Sequence, residues 1–127
     1  MKYLCLAYYD PEMMRGMPPD ELKAMVSRCP PQDAELEATG RLVLSASLQD
    51  RKNTISMRPR GGRPAVTDGP FAEAKELVGG FFIIEAADRE DAIRIASLHP
   101  AATLGEQAGW GIELLPIERY MEQGGGQ

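Results

Sequence analysis

Thr67-Asp68-Gly69-Pro70-Phe71-Ala72-Glu73-Ala74-Lys75-Glu76-Leu77-Val78-Gly79-Gly80-Phe81-Phe82-Ile83-Ile84-Glu85 is the stretch that decides the fold. Asp68-Gly69-Pro70 is a tight-turn sequence: Asp bonds to its own backbone, Gly supplies unusual dihedrals and Pro fixes φ. Phe71 to Glu76 reads as one charged helical turn. The Gly79-Gly80 step then leads into Gly80–Ala86, the most apolar strand of the chain. A polar loop is therefore pinned against the end of a buried strand.

Working outward, Lys2–Tyr9 is rich in aromatic and aliphatic residues and reads as the first strand, ended by Asp10-Pro11. Pro18-Pro19-Asp20 starts a helix whose Leu22, Met25, Val26 and Cys29 recur at helical spacing. Pro30-Pro31 should interrupt it, because proline removes a backbone bond and restricts its predecessor. A kink or two short helices are expected, the second running to about Thr39 with Gly40 as its cap. Arg41–Leu48 reads as the second strand. Thr54–Arg58 and Pro64–Thr67 flank Gly61-Gly62 and predict a hairpin. Asp88 caps a helix, with Asp91 as an imperfect capping-box partner. His99-Pro100 ends that helix, and Trp110–Ile117 is the last strand.

With the hairpin set aside, the order is strand, helix, strand, strand, helix, strand. That order predicts a ferredoxin-like α+β sandwich with an inserted hairpin. Alternation puts Tyr3, Cys5 and Ala7 on one face and Leu4, Leu6 and Tyr8 on the other. Phe82 and Ile84 likewise oppose Phe81 and Ile83. Two helices cover one face only, and a monomer rarely leaves an apolar patch of that size in water. A homodimer joined sheet to sheet, a dimeric α+β barrel, is therefore expected.

A length of 127 residues suits one domain, taken as residues 1–120 with a disordered tail at 121–127. The net charge of -5 argues against nucleic acid as a partner. No apolar run approaches the ~20 residues of a membrane span, and a cytoplasmic location is expected. Two cysteines without metal-ligand spacing and a single histidine exclude most zinc sites. No metal and no cofactor are expected.

Several residues carry candidate chemistry. Asp68 either closes its own turn or acts as a general base at the mouth of a cleft. Glu73, Lys75 and Glu76 are either a solvated face or the charged lining of that cleft. Gly79 and Gly80, candidate ligand-binding residues, let the backbone pass closely at the strand start, and the absence of the full P-loop pattern argues against a phosphate loop. His99, read at a helix C-terminus, is either a surface cap favouring imidazolium or an acid–base group. Arg58, Arg60 and Arg63 cluster on the hairpin and either solubilise it or draw an anion. Cys29 reads as buried packing rather than a nucleophile. Met13, Met14 and Met17 fill the core or cover a cleft. Trp110, Tyr3, Tyr8 and Tyr9 either pack in the core or line an apolar pocket.

Thr67-Asp68-Gly69-Pro70-Phe71 with Glu73, Lys75, Glu76, Gly79, Gly80 and Phe81 resembles the signature of the DGPF branch of the YCII-related family. Glu35–Gly40 and His99-Pro100 add weaker matches. The resemblance implies the dimeric α+β barrel. Some relatives in the wider group carry a His–Asp pair proposed for acid–base chemistry, and one is linked to dehydrochlorination of a hydroxyquinone. By position that pair falls here on Cys29 and Ala38, neither of which can do the work of the residue it replaces. The DGPF branch is also associated with extracytoplasmic-function sigma factors, so a sigma factor is an implied partner. Two functions follow: an unknown small molecule bound and turned over without a cofactor by proton transfer or elimination, with Asp68 as the base; or a non-catalytic ligand-binding or regulatory partner of a sigma factor.

Overall fold

The computed structural model describes residues 1–72 and 74–124. Glu73 and Gly125–Gln127, and with them one candidate ligand-binding residue and the end of the expected disordered tail, lie outside the described residues. The elements are β1 (Lys2–Tyr9), α1 (Pro11–Arg15), α2 (Pro19–Ser27), α3 (Cys29–Ala38), β2 (Leu42–Ser47), β3 (Ile55–Arg60), β4 (Arg63–Asp68), β5 (Leu77–Glu85), α4 (Arg89–Ala96), α5 (Pro100–Thr103) and β6 (Gly111–Pro116). Short 3-10 turns lie at Arg51–Asn53 and Glu106–Ala108.

The architecture is α+β. Four antiparallel strands form a sheet in the order β2-β5-β1-β6, and β3 and β4 pair as a separate hairpin. The two central strands are the two most apolar ones, as burial on both sides requires. The chain leaves β1, crosses through α2 and α3 to the edge strand β2, and returns to the centre at β5. It then crosses through α4 and α5 to the opposite edge at β6. This is the order the expected sandwich requires.

The core forms where α3 and α4 cover one sheet face. Tyr3 and Cys5 from β1 meet Phe82 and Ile84 from β5, under Leu36 of α3 and Ala92, Ile95 and Ala96 of α4. Cys5 is directly opposite Phe82 in the ladder. The other face carries Leu4, Leu6, Phe81 and Ile83, each half-buried, with Leu44 and Leu115 more exposed. Both faces are apolar, as the alternation predicts. Among the described residues no helix is long and apolar enough to cross a membrane.

Local chemistry explains the helix boundaries. Pro30 and Pro31 stand in the first turn of α3, where their missing N–H groups would have had no intrahelical partner. They therefore separate α2 from α3 at Arg28 rather than kink one helix. Asp88 caps α4 by accepting from the Asp91 N–H at 2.8 Å. The Asp91 carboxylate reaches back to the Ala87 N–H at 2.8 Å and pairs with Arg41 at 3.1 Å and with Arg94.

Three expectations need correction. Asp10-Pro11 ends β1 but also starts α1: Asp10, 2% exposed, accepts from the N–H groups of Glu12 at 2.9 Å and Met13 at 3.2 Å. Phe71–Glu76 forms no helical turn among its described residues. A helical nucleus fixes three residues for one hydrogen bond, and Phe71, 61% exposed, contributes no buried face to offset that cost. Finally, β5 begins at Leu77, so Gly79 and Gly80 lie inside the strand rather than before it.

Candidate functional site

The Gly79-Gly80 step creates the space at one end of the sheet. Ala7 pairs with Gly80 and Tyr8 with Val78, so the register slips and Gly79 is the extra residue of a β-bulge. A Cβ on Gly79 would stand 3.0 Å from the Tyr9 ring, and one on Gly80 2.8 Å from the Ala46 carbonyl oxygen. At Gly80 a Cβ would collide with the β2 backbone, so glycine lets β2 approach β5 this closely; at Gly79 the Tyr9 ring would have to give by a few tenths of an ångström. Beside the bulge, a cavity of about 710 Å³ opens between the sheet end, α3 and the start of α5.

His99 lines this cavity. Its ring stacks on Phe82, with centroids 4.5 Å apart and planes 7° from parallel. It does not cap the C-terminus of α4. It is the N-cap of α5, and its Nδ1 accepts from the Ala101 N–H at 3.0 Å. An imidazole accepting at Nδ1 carries its proton on Nε2, so the other ring edge is a hydrogen-bond donor. Burial holds its pKa below the ordinary histidine value, and the negative charge of Asp33 opposes that shift without cancelling it. The imidazolium expected at a helix C-terminus is thus replaced by a neutral ring at a helix N-terminus, where the dipole disfavours positive charge.

The pH dependence follows. The unfolded chain takes up a proton near the ordinary histidine pKa of about 6.5, and the folded chain only at lower pH. Stability from this group is complete above the unfolded value and falls as pH drops through the window to the folded value. The slope there is at most about 1.4 kcal/mol per pH unit for one proton. Urea unfolding of wild type and His99→Asn, in steps below pH 6.5, should show this loss in the wild type alone. Parallel curves would contradict it.

α3 supplies the acidic wall. Asp33 and Glu37 are one turn apart and both line the cavity, as does Asp50 from the loop after β2. The Asp50 carboxylate also accepts from the Lys52 N–H at 2.9 Å. Cys29, on the same helix, points its thiol at the Met25 carbonyl oxygen at 3.8 Å. Burial, aided by the Asp33 charge, raises its pKa. Burial pushes the Cys5 thiol up to about 12. Neither is a ready nucleophile at neutral pH. Tyr8, Tyr9, Phe81 and Trp110 add aromatic residues to the lining, Met14 of α1 and Leu36, Leu42 and Leu48 add aliphatic ones, and Ser45, Ser47 and Gln49 add neutral polar ones.

Of the residues singled out in the sequence, Tyr3 packs in the core, while Tyr8, Tyr9, Met14, Cys29, Gly79, Gly80, His99 and Trp110 line this cavity. Asp68 does not. It is exposed at the end of β4, opposite Ile55, and does not line the cavity. The turn after it is held by the Gly69 N–H to Thr54 oxygen at 2.7 Å and by Ser56 Oγ to Gly69 oxygen at 2.5 Å. Lys75 is exposed and also outside the cavity. Arg58 lies over the Phe71 ring at 4.0 Å, and Arg60 pairs across the hairpin with Arg63, all away from the cavity. Asp33 and Glu37 escaped notice in the sequence. Their signal is two carboxylates four residues apart on the helix face that carries Cys29.

Among the described residues no cluster of three or more His, Cys, Asp or Glu side chains could hold a metal ion. The model of the YCII-related domain matches residues 1–112, which take in every element from β1 to the first part of β6. The chain belongs to the YCII-related family. It is also similar to an uncharacterised protein of Rhizobium meliloti (strain 1021), 28% identical over 96 residues, covering 76% of this chain and 77% of that protein. Cys29, one of the two positions to which the family resemblance assigns the His–Asp pair, lines the cavity, whereas Ala38 does not. The imidazole at the cavity is that of His99, the N-cap of α5, and the carboxylates there are those of Asp33, Glu37 and Asp50.

Proposed function

We propose that this YCII-related protein binds a small organic molecule in the cavity beside His99. The observation that carries the reading is the fixed tautomer of that histidine. With Nδ1 committed to the Ala101 N–H at 3.0 Å, the neutral ring carries its proton on Nε2, and the residue lines a 710 Å³ cavity. Volumes of this size suit small ligands, and a few placed polar groups in an otherwise apolar wall set orientation. His99 would polarise an acceptor atom of the ligand. The α3 carboxylates would accept hydrogen bonds, or a proton, from its donor end. Any proton transfer here runs without a cofactor, with Asp33 rather than Asp68 as the acceptor. The DGPF motif around Asp68 then serves to hold the end of the hairpin.

The test is a fragment screen followed by the indole signal of Trp110 and the imidazole signals of His99, each the single residue of its type. Binders should shift both. His99→Phe keeps a ring against Phe82 but removes the Nε2–H, and should weaken acceptor-bearing ligands by on the order of tenfold. His99→Asn, which still caps α5, should do the same and control for folding. Binders that shift neither signal, or that depend on Asp68 and not on His99, would sink this reading.

A second reading concerns partners. The open sheet face, together with Ile55, Met57 and Val66 on the hairpin (66%, 56% and 62% exposed), favours burial by another protein. A second copy of the chain is the proposed occupant, and sedimentation equilibrium should give a dimer. A monomer that instead retains a sigma factor in a pull-down would favour the regulatory alternative.

A further inference from the structure

We infer that the ligand of this cavity is an organic cation, an ammonium group carried on an aromatic or apolar body. The inference rests on the small-molecule reading above and names the ligand class. The site itself is given by the cavity and its glycine-dependent bulge. The carboxylates and rings decide what it selects.

Three carboxylates, Asp33, Glu37 and Asp50, line the cavity, all on exposed residues, and no lysine or arginine does. None of the three is in an ion pair among the described residues. Asp33 and Glu37 are four residues apart on α3, a like-charge spacing that disfavours the helix unless a cation lies between them. The arginines of the hairpin, which could have balanced them, lie elsewhere. A net charge of -5 adds to the same field.

The aromatic wall points the same way. Tyr8, Tyr9, Phe81 and Trp110 are among the residues that line the cavity. A ring face attracts a cation through its quadrupole, and the attraction grows when water is excluded. Rings and carboxylates together suit an ammonium whose carbon body packs on the rings. An anion would meet carboxylates with no cation to receive it. The Nε2–H of His99, the other fixed polar group, would meet an acceptor elsewhere on the same ligand.

The experiment compares three probes of one shape: benzylamine as the ammonium, benzyl alcohol as the neutral form and benzoate as the anion. Each is titrated into the full chain at pH 7 and followed by the Trp110 and His99 signals. Benzylamine should bind on the order of tenfold tighter than either of the others. The double variant Asp33→Asn, Glu37→Gln should lose that margin, weakening benzylamine far more than benzyl alcohol, whose O–H still finds amide oxygens to accept it, and its thermal midpoint should not fall, since a like-charge pair on α3 is removed. Added salt should weaken benzylamine selectively. Benzyl alcohol or benzoate binding as well as benzylamine at those signals would overturn the cation assignment and leave the small-molecule site standing. So would an unchanged margin in the double variant. No response to any probe at millimolar concentration would overturn both.

Discussion

Phe82→Ala is expected to cost about 3–5 kcal/mol of folding stability. Phe82 is 1% exposed at the centre of the sheet, opposite Cys5 on β1 and Ser45 on β2. It joins the clusters under α3 and α4, and no neighbour can move far enough to refill its volume without breaking the ladder. Domains of this size are stable by about 5–15 kcal/mol, so the loss would be a third or more of the total. The effect on the site would be as large. His99 stacks on the removed ring, so water would reach the imidazole and its pKa should rise toward the ordinary value. Phe82→Leu separates the two consequences. It keeps most of the buried volume, costing less than about 1.5 kcal/mol, but still removes the stacked ring. Urea unfolding measures the first effect and the His99 ring signals, followed against pH, the second. A loss under 1 kcal/mol in Phe82→Ala, or an unmoved His99 titration in both variants, would refute the account.

The same core shows what the sequence makes legible. Alternation in Lys2–Tyr9 and Gly80–Glu85 is a local signal, and it correctly sorts Tyr3, Cys5, Phe82 and Ile84 from Leu4, Leu6, Phe81 and Ile83. Pro30-Pro31 and Asp88 act within one helical turn, and both place helix boundaries as expected. The errors share a cause. Asp10-Pro11 and His99-Pro100 both read as stops, because proline cannot continue an existing strand or helix. In both places the polar residue is an N-cap and the proline is the first residue of a new helix. Asp10 is followed by Pro11 and then by an acidic Glu12, which is the full start signal and was available. For His99 the misreading reversed the chemistry, since a C-terminal cap favours charge and an N-cap that accepts at Nδ1 does not. Asp68 illustrates a different limit. Its motif is conspicuous along the chain, but the cavity is assembled from β1, α3, the loop after β2, the bulge of β5 and the start of α5. No local pattern links Asp33 to His99. Only the crossover that lays α3 against α5, where Thr103 Oγ1 donates to Gln32 Oε1 at 2.8 Å, brings them together.

Gly105→Ala should be the most damaging glycine-to-alanine change among the described residues. Gly105 has φ +72°, and a Cβ there would stand 2.2 Å from Cδ2 of Trp110. The left-handed backbone alone costs a non-glycine residue about 1–2 kcal/mol. The ring must also move, yet its own backbone is tied to this spot, since the Trp110 N–H donates to the Gly105 oxygen at 3.1 Å. Strain and lost packing together should reach about 3 kcal/mol. Because Trp110 is a wall of the cavity, ligand binding should fall with stability rather than independently of it. Its fluorescence, the only indole emission of the chain, should shift to the red as the ring is pushed into water. Gly111→Ala is the matched control: its Cβ would meet nothing within 4 Å, its φ is not positive, and its effect should stay within about 0.5 kcal/mol. Equal behaviour of the two variants would mean that Trp110 is not held against Gly105, and that the cavity has a different wall from the one on which its ligand chemistry is argued.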